Sequence, residues 1–248
     1  MLAVSAALIV VVFSALLSMA GLGAAFLFVP FFYWMGVPLQ EAMATALLLN
    51  AISLAFASAV FVQGGLVRFR AALPILIAAV LLSPLGAWSS HYIPRAVLLW
   101  LFAGFLVFAG VMMLFYHPAV RNPGTRDGAR EAALSAGVGG FAGYLGGLLG
   151  VGGGNFIVPV LTWLGYDPKV AAGTTAFVVV FASAAGFLGH VSLGGLSPSF
   201  LALTGAAAVV GALTGSWLTR FKLSSAQLKR VIGVLLWGIA LKIVWGLL

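Results

Sequence analysis

The chain has 248 residues, 63% of them hydrophobic and 6% charged, with a formal charge of +8 and a mean hydropathy of +1.21. That composition excludes a soluble globular domain, and the apolar runs are helical in length, without the alternating ten-residue segments of an outer-membrane barrel. Nucleic-acid binding would need a solvated basic face, which these runs do not leave, so the positive charge is assigned to loops facing an anionic leaflet.

Cut at polar or Pro/Gly-rich breaks, the sequence predicts ten apolar elements at 2–20, 24–36, 42–62, 71–90, 95–116, 131–150, 153–165, 170–190, 199–219 and 228–248. The first lacks a basic leader and reads as a retained span, not a cleaved signal peptide. The second and seventh are too short: about 13 residues rise roughly 20 Å against a hydrocarbon core of roughly 30 Å. They are expected to be half-helices or re-entrant segments. The only long polar stretch, 117–130, divides the chain into a first membrane repeat (1–116) and a second (131–248).

The two parts match without gaps at a constant offset of 129 residues. Gly21, Gly23, Val29, Pro30, Trp34 and Gly36 pair with Gly150, Gly152, Val158, Pro159, Trp163 and Gly165, and the register continues through Ala42/Ala171, Thr45/Thr174, Gly65/Gly194, Gly86/Gly215, Trp88/Trp217 and Gly104/Gly233. An odd number of crossings per half makes the halves inverted. The predicted fold is therefore an all-α polytopic membrane protein with an inverted-topology repeat, each half holding three full spans plus a re-entrant or half-helix pair.

A cytoplasmic linker puts Arg68, Arg70, Arg121, Arg126, Arg130, Lys169, Arg220, Lys222, Lys229 and Arg230 inside and leaves Arg95 outside. That asymmetry follows the positive-inside rule and predicts a multi-pass inner-membrane protein with both termini outside. Lys242, in the last element, is expected to snorkel to the outer interface, with an anion partner inside the bundle as the alternative.

Short glycine-interrupted segments at corresponding places of an inverted repeat point to a transporter site near the midplane, where a helix start offers unpaired N–H groups to an anion. The run from Gly146 to Pro159 is neither a Walker A loop nor a dinucleotide fingerprint. Candidate substrate-binding residues are Gly21 and Gly23 in the first half and Gly150, Gly152, Gly153, Gly154 and Asn155 in the second. The polar groups Thr45, Asn50, Thr174 and Thr175 join them, with Ser53 and Ser183 close by. For the hydroxyls the competing role is bonding within or between helices; for Asn155 it is capping. Gln63 and His190, placed at outward ends, are candidates for gating. Gly139, Gly143 and Gly147, four residues apart, read as a close helix-packing stripe.

The run from Gly147 to Leu161, with Gly165 and Ala171-Ala172-Gly173-Thr174-Thr175, resembles the TauE/SafE sulfite exporter family. The stretch from Gly21 to Pro30 with Ala44-Thr45-Ala46 is similar to that family's duplicated motif. Two departures stand out: Ala24 and Ala25 occupy the places of Gly153 and Gly154, and the usual Thr-Ser pair is Thr174-Thr175. The resemblance implies secondary transport of small sulfur-containing or organic anions such as sulfite, sulfoacetate or related sulfonates.

Rival readings are an anion channel of the same fold and an accessory subunit that transports nothing. An enzyme is not expected, since three scattered histidines and four peripheral acids make no catalytic constellation. Cysteine is absent, which removes thiolate metal sites and iron–sulfur clusters, and no cofactor or metal is called for. The expected partners are the bilayer and a small anion, with no nucleic acid; the alternatives left open are uniport and coupling to a proton or sodium ion.

Overall fold

The computed structural model describes residues 2–18, 21–115, 128–190, 198–221 and 225–246. Most of the expected linker, together with Gly194 and Lys222, lies outside the described residues. All regular structure described is helical: α1 (Leu2–Ser18), α2 (Ala25–Trp34), α3 (Leu39–Gln63), α4 (Phe69–Ser89), α5 (Arg95–Phe115), α6 (Gly128–Leu148), α7 (Gly154–Trp163), α8 (Pro168–His190), α9 (Pro198–Phe221) and α10 (Ser225–Trp245), with a 3-10 turn at Ser90–Tyr92. Among the described residues, five stretches are long and apolar enough to cross a bilayer: Leu39–Gln63, Phe69–Tyr92, Arg95–Met112, Pro168–His190 and Leu201–Leu218.

The ten expected elements are the ten helices, and the two short ones are shorter than expected. α2 and α7 have 10 residues each, a rise of about 15 Å, so neither crosses a hydrocarbon core by itself. Both stop in the same way. The chain turns through a left-handed glycine, Gly36 (φ 90°) or Gly165 (φ 100°), and the next N–H reaches back five residues, Val37 to Phe32 O at 3.1 Å and Tyr166 to Leu161 O at 3.1 Å. This Schellman closure satisfies carbonyls that a helix end would otherwise leave bare inside the protein.

The halves are woven together. α4 packs on α6 and α1 on α9, α3 on α8 and α5 on α10, and α4 and α3 pack in turn on α8 and α9. Every such pairing has its counterpart under the 129-residue offset. The stripe Gly139, Gly143 and Gly147 performs the expected packing: a Cβ on these residues would fall on main-chain atoms of Ile75, Ala79 and Ser83 of α4. At the matching joint the small residues sit on α9, where Gly211 and Gly215 face the Val11 and Ala15 carbonyls of α1. Without a hydrophobic drive between helices in lipid, such close backbone approach is a main source of cohesion.

Two buried clusters flank the middle. One centres on α2, whose Ala25 to Pro30 and Phe32 are buried on all sides by α1, α3, α5 and α10. The other joins α3, α4 and α8 to Ile157 and Leu161 of α7 and to Leu164 just after it. Phe156 of α7 reaches out to Phe105, Phe108 and Phe141, with ring centroids 5.1, 5.6 and 5.3 Å away.

The α4–α6 joint yields a direct test. Gly143→Leu should cost on the order of 1–3 kcal/mol by overpacking and lower the apparent melting temperature in detergent. Gly137→Leu, on the same helix with nothing within 4 Å of its Cβ position, should leave it unchanged. Equal melting of the two variants would show that the joint is not close-packed.

Candidate functional site

Near the middle of α3, where its neighbours are leucine and alanine, stands Asn50, 0% exposed. A buried amide needs partners for both ends. Asn50 Oδ1 accepts the N–H of Ala25, the first residue of α2, at 3.3 Å. Its Nδ2 donates to Ser183 Oγ of α8 at 2.9 Å, and Ser53 Oγ donates back to the Asn50 carbonyl at 3.1 Å. Ala24, the residue before α2, offers no side-chain cap. Asn50 supplies the cap from another helix.

Both glycine-led turns close on this amide. A Cβ on Gly23 would fall on Asn50 Oδ1, and one on Gly152 would lie 2.6 Å from Ser183 Oγ and 2.7 Å from Asn50 Nδ2. Both residues are left-handed, at φ 73° and 76°, a conformation that glycine adopts without strain. The flanking glycines pack on the opposite half in exchanged fashion: Gly21 against the main chain of Ala172 in α8, Gly150 against Met43 in α3. Ala172 and Met43 are themselves 129 residues apart. Gly153 and Gly154 abut the carbonyls of Ala142 and Leu22. The candidate glycines of the two halves thus meet in one place, and each has a packing neighbour that forbids a side chain.

The two turns differ where their sequences differ. Gly153 is left-handed at φ 78°, whereas its counterpart Ala24 has φ −103°. The counterpart of Asn50 is Val179, whose Cγ1 lies 3.2 Å from the Cβ position of Gly152. No amide therefore caps α7, and the N–H groups of Gly154 and Asn155 meet no acceptor among the described residues. Asn155 Oδ1 and Thr175 Oγ1 are also buried without a protein partner, on residues 1% and 0% exposed. Thr174 is engaged elsewhere: its Oγ1 accepts the N–H of Arg68, the residue before α4, at 3.0 Å. Thr45 is buried in α3.

One expectation is corrected. Gln63 and His190 do not share a face. The Thr174–Arg68 bond places the exposed end of α3, with Gln63, beside the start of α8. His190 is the last residue of α8 and sits 5.8 Å, ring to ring, from His91 beyond α4. The 23 residues of α8 separate the two ends by about 35 Å. The signal was available, since Gln63 precedes Arg68 by only a short turn and must lie on its side of the membrane. His91 and Ser83 escaped the sequence reading; Ser83 Oγ donates to Ala182 O at 2.8 Å. Lys242 is exposed, and its Nζ stands 4.0 Å from the centre of the Trp34 ring, a cation–π contact.

A double-mutant cycle checks the central amide. Asn50→Ala strands the Ala25 N–H and Ser183, each unpaired buried group costing about 1–3 kcal/mol, and should lower thermal stability more than Ser183→Ala. The double variant should melt close to Asn50→Ala alone. Additive losses would mean that the amide and hydroxyl do not interact.

Comparison with known proteins places this architecture. The family profile described as sulfite exporter TauE/SafE matches residues 6–243. A probable membrane transporter protein, y4hK, of Sinorhizobium fredii is 28% identical over 207 residues, 81% of each chain. Sulfite exporter TauE/SafE family protein 1 of Arabidopsis thaliana is 32% identical over 95 residues, 34% of this chain but only 21% of that protein. A probable membrane transporter protein, YunE, of Bacillus subtilis is 35% identical over 65 residues, 26% of this chain and 24% of that protein. No solved structure matches. With the matched span running from α1 into α10, the chain belongs to the sulfite exporter TauE/SafE family of multi-pass membrane transport proteins.

Proposed function

We propose that the protein is a secondary transporter of small anions, bound where the two glycine-led turns meet at Asn50. The observation that carries this reading is the convergence of the α2 and α7 N-termini on one buried amide. Each helix start points the positive end of its dipole there. Only the first has its leading N–H capped by a side chain, so the N–H groups of Gly154 and Asn155 make the α7 start the donor-rich side, and Thr175 Oγ1 of α8 is a further buried hydroxyl without a protein partner. The family's description names sulfite, and the proposed ligand class extends from it to related small sulfonates such as sulfoacetate.

The exchanged packing of Gly21 on Ala172 and Gly150 on Met43 supports an inverted repeat, with α2 and α7 as half-helices that enter from opposite sides. The charge distribution supports a cytoplasmic linker, external termini and an inner-membrane location. Asn50, Thr175 and Ser183 are 0% exposed and Asn155 1%, as expected of an occluded state. Transport then requires the turns to open alternately to the two sides.

Purified protein in liposomes should take up radiolabelled sulfoacetate saturably, and excess sulfite should compete. Gly152→Val forces a branched side chain into Asn50 and Ser183 and should abolish uptake, while Gly104→Val, in open space on α5, should retain it. Conductance that does not saturate would indicate a channel. Uptake indifferent to Gly152→Val would move the site elsewhere.

A further inference from the structure

At the end of α8 opposite Thr174, two histidines meet that neither the packing nor the anion site accounts for. His190 is 2% exposed, while His91 opens to solvent. The Gly147 carbonyl lies 3.0 Å from His190 Nε2 and can only accept, so that nitrogen carries the hydrogen. Nδ1 is then a bare base, and it is buried without a partner. His91 repeats the arrangement, with Nδ1 3.2 Å from the Ala87 carbonyl and Nε2 left bare. Two basic nitrogens thus stand on neighbouring rings, one reached from solvent and one enclosed. Packing does not require the buried one to be imidazole: at the corresponding place in the first half stands Phe61, also buried.

The helices packed against α8 are α3, α4, α6 and α7. α7 carries no titratable group. α6 carries Tyr144, with Arg130 and Glu131 at its opposite end, and α4 has Arg70 at its opposite end. α3 carries Glu41 in its first turn, whose Oε2 is buried without a partner and bonds neither ring. Lys169 lies at the far end of α8 itself. Ser183, Gly186 and His190 share one face of α8. Ser183 holds Asn50, Gly186 would meet the Gly147 Cα at 3.6 Å if given a Cβ, and His190 bonds the Gly147 carbonyl. One helix face therefore touches the glycine-led run near both its start and its centre.

We propose that His91 and His190 form a proton-binding pair whose occupancy is linked to the anion in the turns, which makes the proton a co-substrate. This rests on the anion-transport reading. A hydronium ion at that end gives its proton to His91 Nε2, and the proton passes to His190 Nδ1 after a ring or water movement. The Nε2–H bond to Gly147 persists throughout, so the product is a buried imidazolium and a neutral His91. A lone buried cation is costly; an anion in the adjoining turns offsets that cost, and by linkage the proton raises anion affinity by the same factor. No carboxylate relay is needed.

Two measurements separate this idea from the transport reading. In nanodiscs, the ¹⁵N signals of labelled histidine, assigned with His91→Gln and His190→Gln, should show His190 Nδ1 taking a proton at higher pH when sulfoacetate is present. In liposomes, the ratio of sulfoacetate uptake with an inward proton gradient to uptake without one should exceed one for wild type and fall to one for His190→Gln, whose amide still donates to Gly147. Uptake with an unmoved His190 titration, or a ratio unchanged by His190→Gln, would overturn the proton site and leave the transporter standing. Absence of both uptake and an anion-linked shift would remove both.

Discussion

Hydrocarbon offers no hydrogen bonds, so every main-chain N–H and C=O at membrane depth must find a partner inside the protein. A helix that crosses the bilayer meets this demand along its length and leaves its ends to water. α2 and α7 cannot, because ten residues bring at least one end into the interior. The structure answers at both ends. Left-handed Gly36 and Gly165 close the C-termini with Schellman bonds, and Asn50 reaches from α3 to take the first N–H of α2. Much else in the fold follows from sheltering these two ends: the all-round burial of α2, the close joints that hold α4 to α6 and α1 to α9, and the long α3 and α8 that cross between them.

Satisfying the short helices also fixes where flexibility is allowed. Gly23 and Gly152 are not slack; each has a side chain or hydroxyl where its own Cβ would be. Their positive φ angles serve a close approach of main chain to the Asn50 amide. The turns are therefore close-packed, and the donors left unpaired at Gly154 and Asn155 sit on a fixed main chain, which for the proposed anion site means donors set before binding. Such preorganisation lowers the ordering cost of binding.

Much of this was legible in the sequence because the signals were local. Polar and glycine breaks marked ten helices, and the offset of 129 residues anticipated the shared positive φ at Gly21 and Gly150, Gly23 and Gly152, and Gly36 and Gly165. Even the contrast between Ala24 and Gly153 appears as a change in the sign of φ. What could not be read was which side chains meet across helices. Nothing in the spacing of Asn50 and Ser183, or of His91 and His190, reveals that each pair is in contact. These contacts depend on the rotation of each helix about its axis, which an apolar face on every side leaves undetermined. The misplacement of Gln63 had a different origin, since the position of Arg68 already fixed the side on which α3 ends.

The repeat is most informative where it fails. Agreement between the halves, in the glycines, Pro30 and Pro159, or Thr45 and Thr174, accompanies shared backbone geometry and is what a duplicated scaffold needs. Disagreement falls on the polar groups: Asn50 against Val179, Asn155 against Phe26, Thr175 against Ala46, His190 against Phe61. Three of these four place the polar residue in the second half, and the fourth, Asn50, reaches across to Ser183 of that half. Two identical half-helix starts would offer equal and competing donor sets. Capping one and leaving the other open concentrates hydrogen-bond donors on a single helix start, within a scaffold whose helix pairings keep their counterparts under the repeat.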